Sequence, residues 1–319
     1  MKKVLSIIVI FICVFILIWS EHPQLILSNK MAFGDLQSIS GLSKFKQKEP
    51  QILSQSFYNK EATILCFGDS LLITNYGYNS FSLQLQNRLK TPVSTHVSLH
   101  DQSLKAIQHQ LTLHPKVKVI VLESIEKYMY GKFPSKLQLS LFQIDSLFTK
   151  REAKLQSLLL QSVIAQWAQT KLNDFKWSTF GDFPNELLHY KQDRLYLKQS
   201  LSTQFVGSSF SPIQSTVHQR YIQKLTSIQK YLDSVGVKLF VLIVPNKATI
   251  EKPIHNLINY QHITFVQNQL KKLNVDCIDV YSAFQNKKNL YFKTDSHWNK
   301  NGVKLAIEQT YKKLSQFSK

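Results

Sequence analysis

The fold is decided by residues 63–72, which read Thr-Ile-Leu-Cys-Phe-Gly-Asp-Ser-Leu-Leu. The apolar run at the start of this stretch predicts a buried β-strand over 62–67. The strand ends at Gly68, and Asp69 and Ser70 follow on a turn before a more polar segment with helical character. In open α/β sheets, ligands bind in the crevice outside the carboxyl ends of the strands. The sequence therefore predicts that Ser70 lies at the functional edge of a sheet.

Further apolar runs continue the pattern, and segments with helical periodicity separate them. The later predicted strands lie over 93–99, 117–122, 238–244 and 275–281. Apolar residues at helical spacing predict helices that begin near Phe81 and then lie over 104–113, 216–234, 263–273 and 301–316. Strands that alternate with helices pair in parallel through right-handed crossovers. We therefore expect an α/β protein, a three-layer α/β/α sandwich with a five-stranded parallel sheet.

Residues 127–215 interrupt this alternation. Helical patterns over 137–147 and 152–172 precede an aromatic-rich stretch, and Asp193-Arg194-Leu195-Tyr196-Leu197 has the pattern of a strand or hairpin. We interpret this interval as an insertion at the carboxyl edge of the sheet. Two interpretations of it are open, a substrate lid and additional helical packing.

The N-terminus predicts the cellular location. Lysines at positions 2–3 precede an uncharged apolar run over 4–19, and no small-x-small cleavage site follows. The run is near the lower length limit of a membrane-spanning helix, and its flanking lysines would stay in the cytoplasm. We predict an uncleaved, single-pass signal anchor over 1–20 in the inner (cytoplasmic) membrane, then a juxtamembrane spacer over 21–60. The domain over 61–319 would face the periplasm or the extracellular side.

The net charge of +19 over 319 residues favours an anionic partner. The candidates are an anionic polymer, anionic lipid headgroups and nucleic acid. Nucleic acid is the weakest candidate, because no Lys/Arg block alternates with aromatic residues as in a recognisable nucleic-acid-binding module. Solvated lysines in a lysine-rich protein explain the charge equally well.

A second motif near the C-terminus supplies the chemistry that Ser70 would need. A serine hydroxyl is a poor nucleophile at neutral pH unless a base lies beside it. Asp295 and His297 are two residues apart before the last predicted helix, and in an extended segment such residues point to the same side. His297 would take the serine proton, and Asp295 would hold the imidazole in one tautomer. We predict a catalytic triad of Ser70, His297 and Asp295, with the backbone N–H of Ser70 as an oxyanion donor.

Other sets of reactive residues have simpler explanations. Glu123 and Glu126 could form a glycosidase pair, but they come from one short segment, and structural ion pairs explain them better. The histidines at positions 96, 100, 109 and 114 have irregular spacing and form no metal set. The cysteines at 13, 66 and 277 lie in the predicted anchor and in predicted strands, so they are expected to be small buried hydrophobes. We therefore expect no metal and no organic cofactor.

Three further side chains are candidates for substrate binding, namely Asp69, Lys247 and Trp298. Lys247 follows the fourth predicted strand and could meet an anionic substrate, but a solvated loop lysine is an equal alternative. Trp298 could form a wall that stacks on a sugar, or it could pack the loop that carries His297.

Gly68-Asp69-Ser70 early in the chain and Asp295-x-His297 late in it resemble the block order of the SGNH (GDSL) hydrolase superfamily. This resemblance implies a parallel sheet of strand order 2-1-3-4-5. Several stretches more closely resemble the SGNH-like domain of the alginate O-acetyltransferase family. They are residues 294–298 (Thr-Asp-Ser-His-Trp) with Gly302, residues 244–247 (Val-Pro-Asn-Lys), residues 121–128 (Val-Leu-Glu-Ser-Ile-Glu-Lys-Tyr) and, more faintly, residues 193–197. In that family the Asp-x-His segment precedes the serine, so the order here would be circularly permuted.

The resemblance implies a membrane-anchored serine O-acyltransferase or esterase that adds or removes acetyl groups on a cell-envelope polysaccharide. By the same analogy, a membrane-bound O-acyltransferase would supply the acyl group. The asparagine and glycine that SGNH esterases place after their third and second strands as oxyanion donors are absent here by residue type. A different class of function is therefore also open. The protein could be a non-catalytic glycan-binding or scaffold component of an envelope polysaccharide export or modification complex.

Overall fold

The computed structural model describes residues 58–72, 81–97, 103–129, 187–190 and 194–317, with short pieces at 171–172, 175–176 and 178–180. The predicted anchor, most of the spacer and the predicted helix over 137–147 lie outside these residues, as does nearly all of the one over 152–172. Within the described ranges, no helix has the length and apolar character needed to cross a membrane. The division into anchor, spacer and domain stays a prediction.

A five-stranded parallel sheet organises the part of the chain that the structure describes. The strands in chain order are β1 (Ile64–Gly68), β2 (Val93–Val97), β3 (Val119–Ile125), β4 (Leu187–Tyr190), β5 (Arg194–Leu197), β6 (Lys238–Val244) and β7 (Asp276–Ile278). The sheet has the order β2-β1-β3-β6-β7, and every neighbouring pair is parallel. The predicted five-stranded parallel sheet is confirmed, and so is the implied order 2-1-3-4-5. Each of its strands therefore ends at the same edge.

Helices cover both faces of this sheet. They are α1 (Phe81–Leu89), α2 (Leu104–Leu113), α3 (Ser215–Ser234), α4 (Lys247–Glu251), α5 (His262–Lys272), α6 (Val280–Phe284) and α7 (Lys300–Phe317). Successive side chains of a strand point to opposite faces, so each strand contributes to two cores. In β1, Ile64 and Cys66 pack in the core that includes α1, α6 and α7. Leu65 and Phe67 pack in the core that includes α2, α3 and α5. The three-layer arrangement is confirmed.

The fifth strand of the sheet is shorter than the sequence predicts. Residues 275–281 were expected to form one strand, but β7 ends at Ile278 and α6 begins at Val280. The side chain of Asp279 accepts a hydrogen bond from the backbone N–H of Ser282, 3.0 Å away. An aspartate that caps a helix in this way satisfies an otherwise unpaired N–H. The cap explains why an apolar stretch turns into a helix instead of extending the strand.

The strand or hairpin predicted at residues 193–197 is confirmed as a two-stranded antiparallel sheet of β4 and β5. The backbone N–H of Leu195 donates to the carbonyl of Lys293, 2.8 Å away. The hairpin therefore contacts the loop that precedes Asp295. Most of the insertion over 127–215 lies outside the described residues, so its two interpretations, lid and extra packing, stay open.

We expect Gly302→Ala to destabilise the protein. An added Cβ would overlap the carbonyl oxygen of Leu290 and lie 2.6 Å from the Cβ of Trp298. Overpacking of this kind costs about 1–3 kcal/mol, which outweighs the gain in helix propensity from glycine to alanine. Urea unfolding monitored by circular dichroism measures the change. Lys304→Ala, at an exposed position of α7, is the control and should change stability by less than about 0.5 kcal/mol. Equal stability of the two variants would contradict the close approach at Gly302.

Candidate active site

The serine turn lies at the carboxyl end of β1. Gly68 ends the strand, and a single turn of 3₁₀ helix covers Ser70–Leu72. The backbone N–H of Leu72 donates to the carbonyl of Asp69, 3.1 Å away, which closes the turn. The structure thus places the backbone of Ser70 at the predicted edge of the sheet. The position of its hydroxyl lies outside the described atoms, so the triad and the Ser70 oxyanion donor stay predictions.

Asp295 and His297 form the predicted pair. The Oδ1 atom of Asp295 accepts a hydrogen bond from the backbone N–H of His297 at 2.9 Å and another from its Nδ1 at 2.6 Å. The carboxylate is completely buried, whereas the imidazole side chain is 15% exposed. Because a carboxylate only accepts, Nδ1 carries the proton of this contact, and the lone pair of a neutral imidazole is then on Nε2. This is the tautomer that a general base requires.

Trp298 brings this pair to the serine turn. Its indole N–H donates to the carbonyl of Leu71, 3.2 Å away, although the two residues are 227 positions apart in the chain. Leu71 directly follows Ser70, and Trp298 directly follows His297. The two segments that the sequence analysis singled out are therefore neighbours in space.

The indole of Trp298 has no exposed surface. Its ring lies parallel to that of Phe81, with centroids 6.2 Å apart, and it also contacts Phe284. A ring without exposed surface offers no face to a sugar. The structure therefore favours the packing interpretation of Trp298 over a substrate-stacking wall.

Lys247, another candidate for substrate binding, is buried. Its ammonium donates to the carbonyls of Leu195 at 3.0 Å, of Asp295 at 3.3 Å and of Lys293. It also lies 4.9 Å from the centre of the Tyr196 ring, a distance at which cation and ring attract each other. These contacts agree neither with a solvated loop lysine nor with an exposed group that binds an anionic substrate. In this structure Lys247 ties the hairpin and the segment that carries Asp295 to α4.

Glu123 lies near the site, and the sequence analysis did not predict its contact with the serine turn. It lies near the carboxyl end of β3, is completely buried, and accepts a hydrogen bond from the backbone N–H of Asp69 through Oε2. A Cβ at position 68 would lie 2.6 Å from the Cβ of Glu123. Glycine at the end of β1 thus lets this carboxyl group lie directly against the serine turn. The signal in the sequence was an acidic residue inside an apolar strand, which by itself did not indicate what the residue contacts.

The electrostatics of Glu123 favour its neutral form. Burial and the neighbouring carboxylate of Asp69 raise the pKa of Glu123 to about 8, against the opposing effects of the hydrogen bond from the Asp69 N–H, of His297 and of Lys127. The phenol of Tyr221, on α3, is a further titratable neighbour. At neutral pH most Glu123 side chains are therefore protonated. Asp69 itself is 4% exposed, and its predicted role in substrate binding stays a prediction.

Glu126 has a separate role at the end of β3. Its Oε2 accepts hydrogen bonds from the backbone N–H of Asn246 and the hydroxyl of Thr249, both at 2.7 Å, and its Oε1 accepts one from the hydroxyl of Ser209. Burial raises the pKa of this carboxyl group to about 7. Glu126 thus links β3 to α4, whereas Glu123 contacts the turn after β1. The two acids engage different segments, which argues against a glycosidase pair.

The described residues include no group of three or more histidine, cysteine, aspartate or glutamate side chains that could hold a metal ion. Cys66 is buried, Cys277 is partly buried, and both are free thiols. Burial raises the pKa of each thiol to about 12. Neither thiol is therefore a thiolate at neutral pH, which agrees with the sequence-based interpretation that both are small hydrophobes.

The sheet order and the Asp295–His297 pair beside the serine turn are consistent with an SGNH hydrolase-like fold. Comparison with known families supports this class. The SGNH hydrolase-like domain of the acetyltransferase AlgX matches residues 205–318. The predicted resemblance to this family is confirmed for that part of the chain, which contains Asp295 and His297 but not Ser70. No curated protein matches the chain.

We expect the stability of the protein to depend on pH through Glu123. Its pKa of about 8 lies above the ordinary value of 4.5, so between these values the folded state binds more protons than the unfolded state. The stabilisation is complete below pH 4.5 and is lost as the pH rises through 8, with a slope of at most about 1.4 kcal/mol per pH unit. Glu123→Gln removes this contribution. Its free energy of unfolding should therefore fall less than that of the wild type between about pH 5 and pH 8.

Urea titrations at several pH values across this window measure the effect. Glu308→Gln is the control, because Glu308 lies at the surface of α7 and pairs with Lys312. This variant should follow the wild-type pH dependence. A Glu123→Gln variant with that same dependence would show that Glu123 is ionised in the folded protein and would contradict the prediction.

Proposed function

We propose that the protein is a serine O-acyltransferase or esterase that adds or removes acetyl groups on a cell-envelope polysaccharide. The observation that carries the proposal is the pair of buried Asp295 and partly exposed His297, held by Trp298 next to the turn that contains Ser70. The similarity of residues 205–318 to an acetyltransferase domain supports the same class of reaction. This similarity concerns the class of reaction only, so the identities of the polymer and of the acyl group belong to the proposal.

The proposed first half-reaction transfers the acyl group to the enzyme. The Ser70 hydroxyl oxygen forms a bond to the carbonyl carbon of the donor while His297 Nε2 takes the hydroxyl proton. Buried Asp295 stabilises the resulting imidazolium, and the Ser70 N–H donates to the oxyanion of the tetrahedral intermediate. The intermediate collapses when the bond to the leaving group breaks. That group leaves with the proton from His297, and the acyl group stays on Ser70.

The second half-reaction releases the acyl group by the reverse sequence. A sugar hydroxyl in a transferase, or water in an esterase, gives its proton to His297 and attacks the acyl carbonyl carbon. The bond to Ser70 breaks, and the serine oxygen regains its proton. The residues named for these steps require no metal or organic cofactor.

We also propose that the protein is anchored in the cytoplasmic membrane with its domain on the outer side, where a membrane-bound O-acyltransferase supplies the acyl group. The apolar run over 4–19 motivates the first part, and family analogy motivates the second. The intact protein should sediment with membranes, resist extraction by salt, and dissolve in detergent. It should also co-purify with an integral acyltransferase. Recovery of the protein in the salt wash would contradict the membrane anchor. Repeated purification without an integral acyltransferase would contradict the proposed partner.

We expect the full-length protein in detergent to become acetylated when it is incubated with p-nitrophenyl acetate. Intact-mass spectrometry should show one acetyl adduct on the wild type and none on Ser70→Ala. His297→Asn should slow acylation by at least about a thousandfold, because the base and the nucleophile act as a unit. Ser227→Ala, on the exposed side of α3, is the matched control and should react like the wild type.

An adduct that persists in Ser70→Ala would contradict the serine mechanism. The absence of any adduct from the wild type, together with unchanged glycan binding by Ser70→Ala, would favour the alternative function, a non-catalytic glycan-binding or scaffold component. Added polysaccharides then distinguish transfer from hydrolysis. A transferase moves the acetyl group to the glycan, whereas an esterase releases acetate.

A further inference from the structure

A cavity of about 660 Å³ lies beyond the ends of β6 and β7, apart from the Asp295–His297 pair. It lies between α4, the end of α6 and strand β5. The charged residues that line it are Arg194, Glu251, Lys252, Lys287 and Lys288. Its volume falls in the range of about 300–1,000 Å³ that is typical of small-molecule sites. A few units of a linear chain fit such a space, whereas a folded partner does not.

A hydrogen-bonded set of three side chains contributes to the wall of this cavity. Glu251 accepts from the guanidinium of Arg194 at 2.6 Å and from the hydroxyl of Tyr196 at 2.6 Å, each bond using a different carboxylate oxygen. The side chains of Arg194 and Glu251 are only 18% and 11% exposed. The charge of Glu251 is therefore balanced within the wall. Among the described residues that line the cavity, it is the sole carboxylate.

The rim of the cavity is basic. Lys252 follows α4, and Lys287 and Lys288 lie on the loop after α6, all three at exposed positions. Because Glu251 is already compensated by Arg194, the three lysines give the opening a net positive potential. Clefts that carry one sign of charge concentrate ligands of the opposite sign.

The cavity and the candidate active site share a structural element. The ammonium of Lys247, on α4, contacts the carbonyls of Leu195 in β5 and of Asp295. Arg194 directly precedes Leu195, so β5 is part of the cavity wall and is also tied to the segment that carries Asp295. A chain that occupies the cavity would lie on the edge of the sheet where the Ser70 turn also lies.

We propose that this basic cavity binds the negatively charged groups, carboxylate or phosphate, of an acidic linear polymer. The role of the cavity as the binding site of the acyl acceptor rests on the proposed function. Binding of the polymer can nevertheless be measured without catalysis. Nucleic acid fits less well, because its single strands bind on exposed aromatic platforms. The two tyrosines that line the cavity, Tyr196 and Tyr281, are buried.

Calorimetric titration of the full-length protein in detergent tests the proposal with four probes of equal chain length. These are oligogalacturonate, which carries carboxylates, oligo(glycerol phosphate), which carries phosphates, neutral oligodextran, and single-stranded DNA. One of the two acidic chains should bind in a salt-dependent manner, and oligodextran should not bind. The preferred acidic chain identifies the charged group that the cavity accepts. Tighter binding of DNA than of either acidic chain would overturn the proposal.

Two double variants with the same change in net charge test whether the polymer binds at the cavity. Lys287→Ala with Lys288→Ala removes two lysines from the rim, and Lys271→Ala with Lys272→Ala removes two exposed lysines at the end of α5. The first should lower affinity about tenfold, and the second by less than about twofold. Equal losses would show that the total charge, not the cavity, attracts the polymer, and would overturn the proposal. Equal unfolding midpoints confirm that both variants are folded.

Ser70→Ala separates this inference from the proposed function. It should bind the acidic chain as tightly as the wild type, because the substitution changes no charge and leaves the rim lysines and the Arg194–Glu251 pair in place. If the wild type forms no acetyl adduct but rim-dependent binding persists, the catalytic proposal fails and the binding site stands. If the adduct forms but binding does not depend on the rim lysines, the binding site fails and the catalytic proposal stands.

Discussion

The candidate site depends on one hydrogen bond between distant parts of the chain, from the indole of Trp298 to the carbonyl of Leu71. The indole is completely buried, so its N–H needs a partner inside the protein. The Leu71 carbonyl meets this need only when the turn after β1 lies against the segment before α7. The packing requirement of one aromatic side chain thus brings the neighbourhood of Ser70 to that of His297.

Around this contact, buried polar groups hold the loops at the edge of the sheet. Lys247 donates to carbonyls of the hairpin and of the Asp295 segment, and Glu126 accepts from the segment that begins α4. Glu123 accepts from the backbone beside Ser70. Polar groups without access to water are costly unless they are hydrogen-bonded, so each of these contacts restricts where its loop can lie. Loops at this edge are therefore positioned by specific bonds as well as by apolar packing.

Much of the fold could be predicted because its signals are local. The β6 and α2 boundaries follow from apolar periodicity alone. The spacing of two residues predicted that Asp295 and His297 pair, although the segment is bent rather than extended and Asp295 also accepts from the backbone N–H of His297. The prediction erred where a local polar contact competes with periodicity, as at Asp279, which begins α6 and ends the predicted strand. The roles of Lys247 and Glu123 could not be predicted, since their partners are distant in sequence.

By itself, the sequence determined the alternation of strands and helices, the serine at the end of the first strand and the Asp–His pair before the last helix. These features depend on side-chain order over a few residues, which periodicity and spacing report directly. Only the tertiary structure decided that Trp298 packs inward, that Lys247 is a buried tie, and that a basic cavity opens beside α4. Those outcomes depend on which loops meet at the edge of the sheet, and that follows from the strand order and from contacts between residues far apart in the chain.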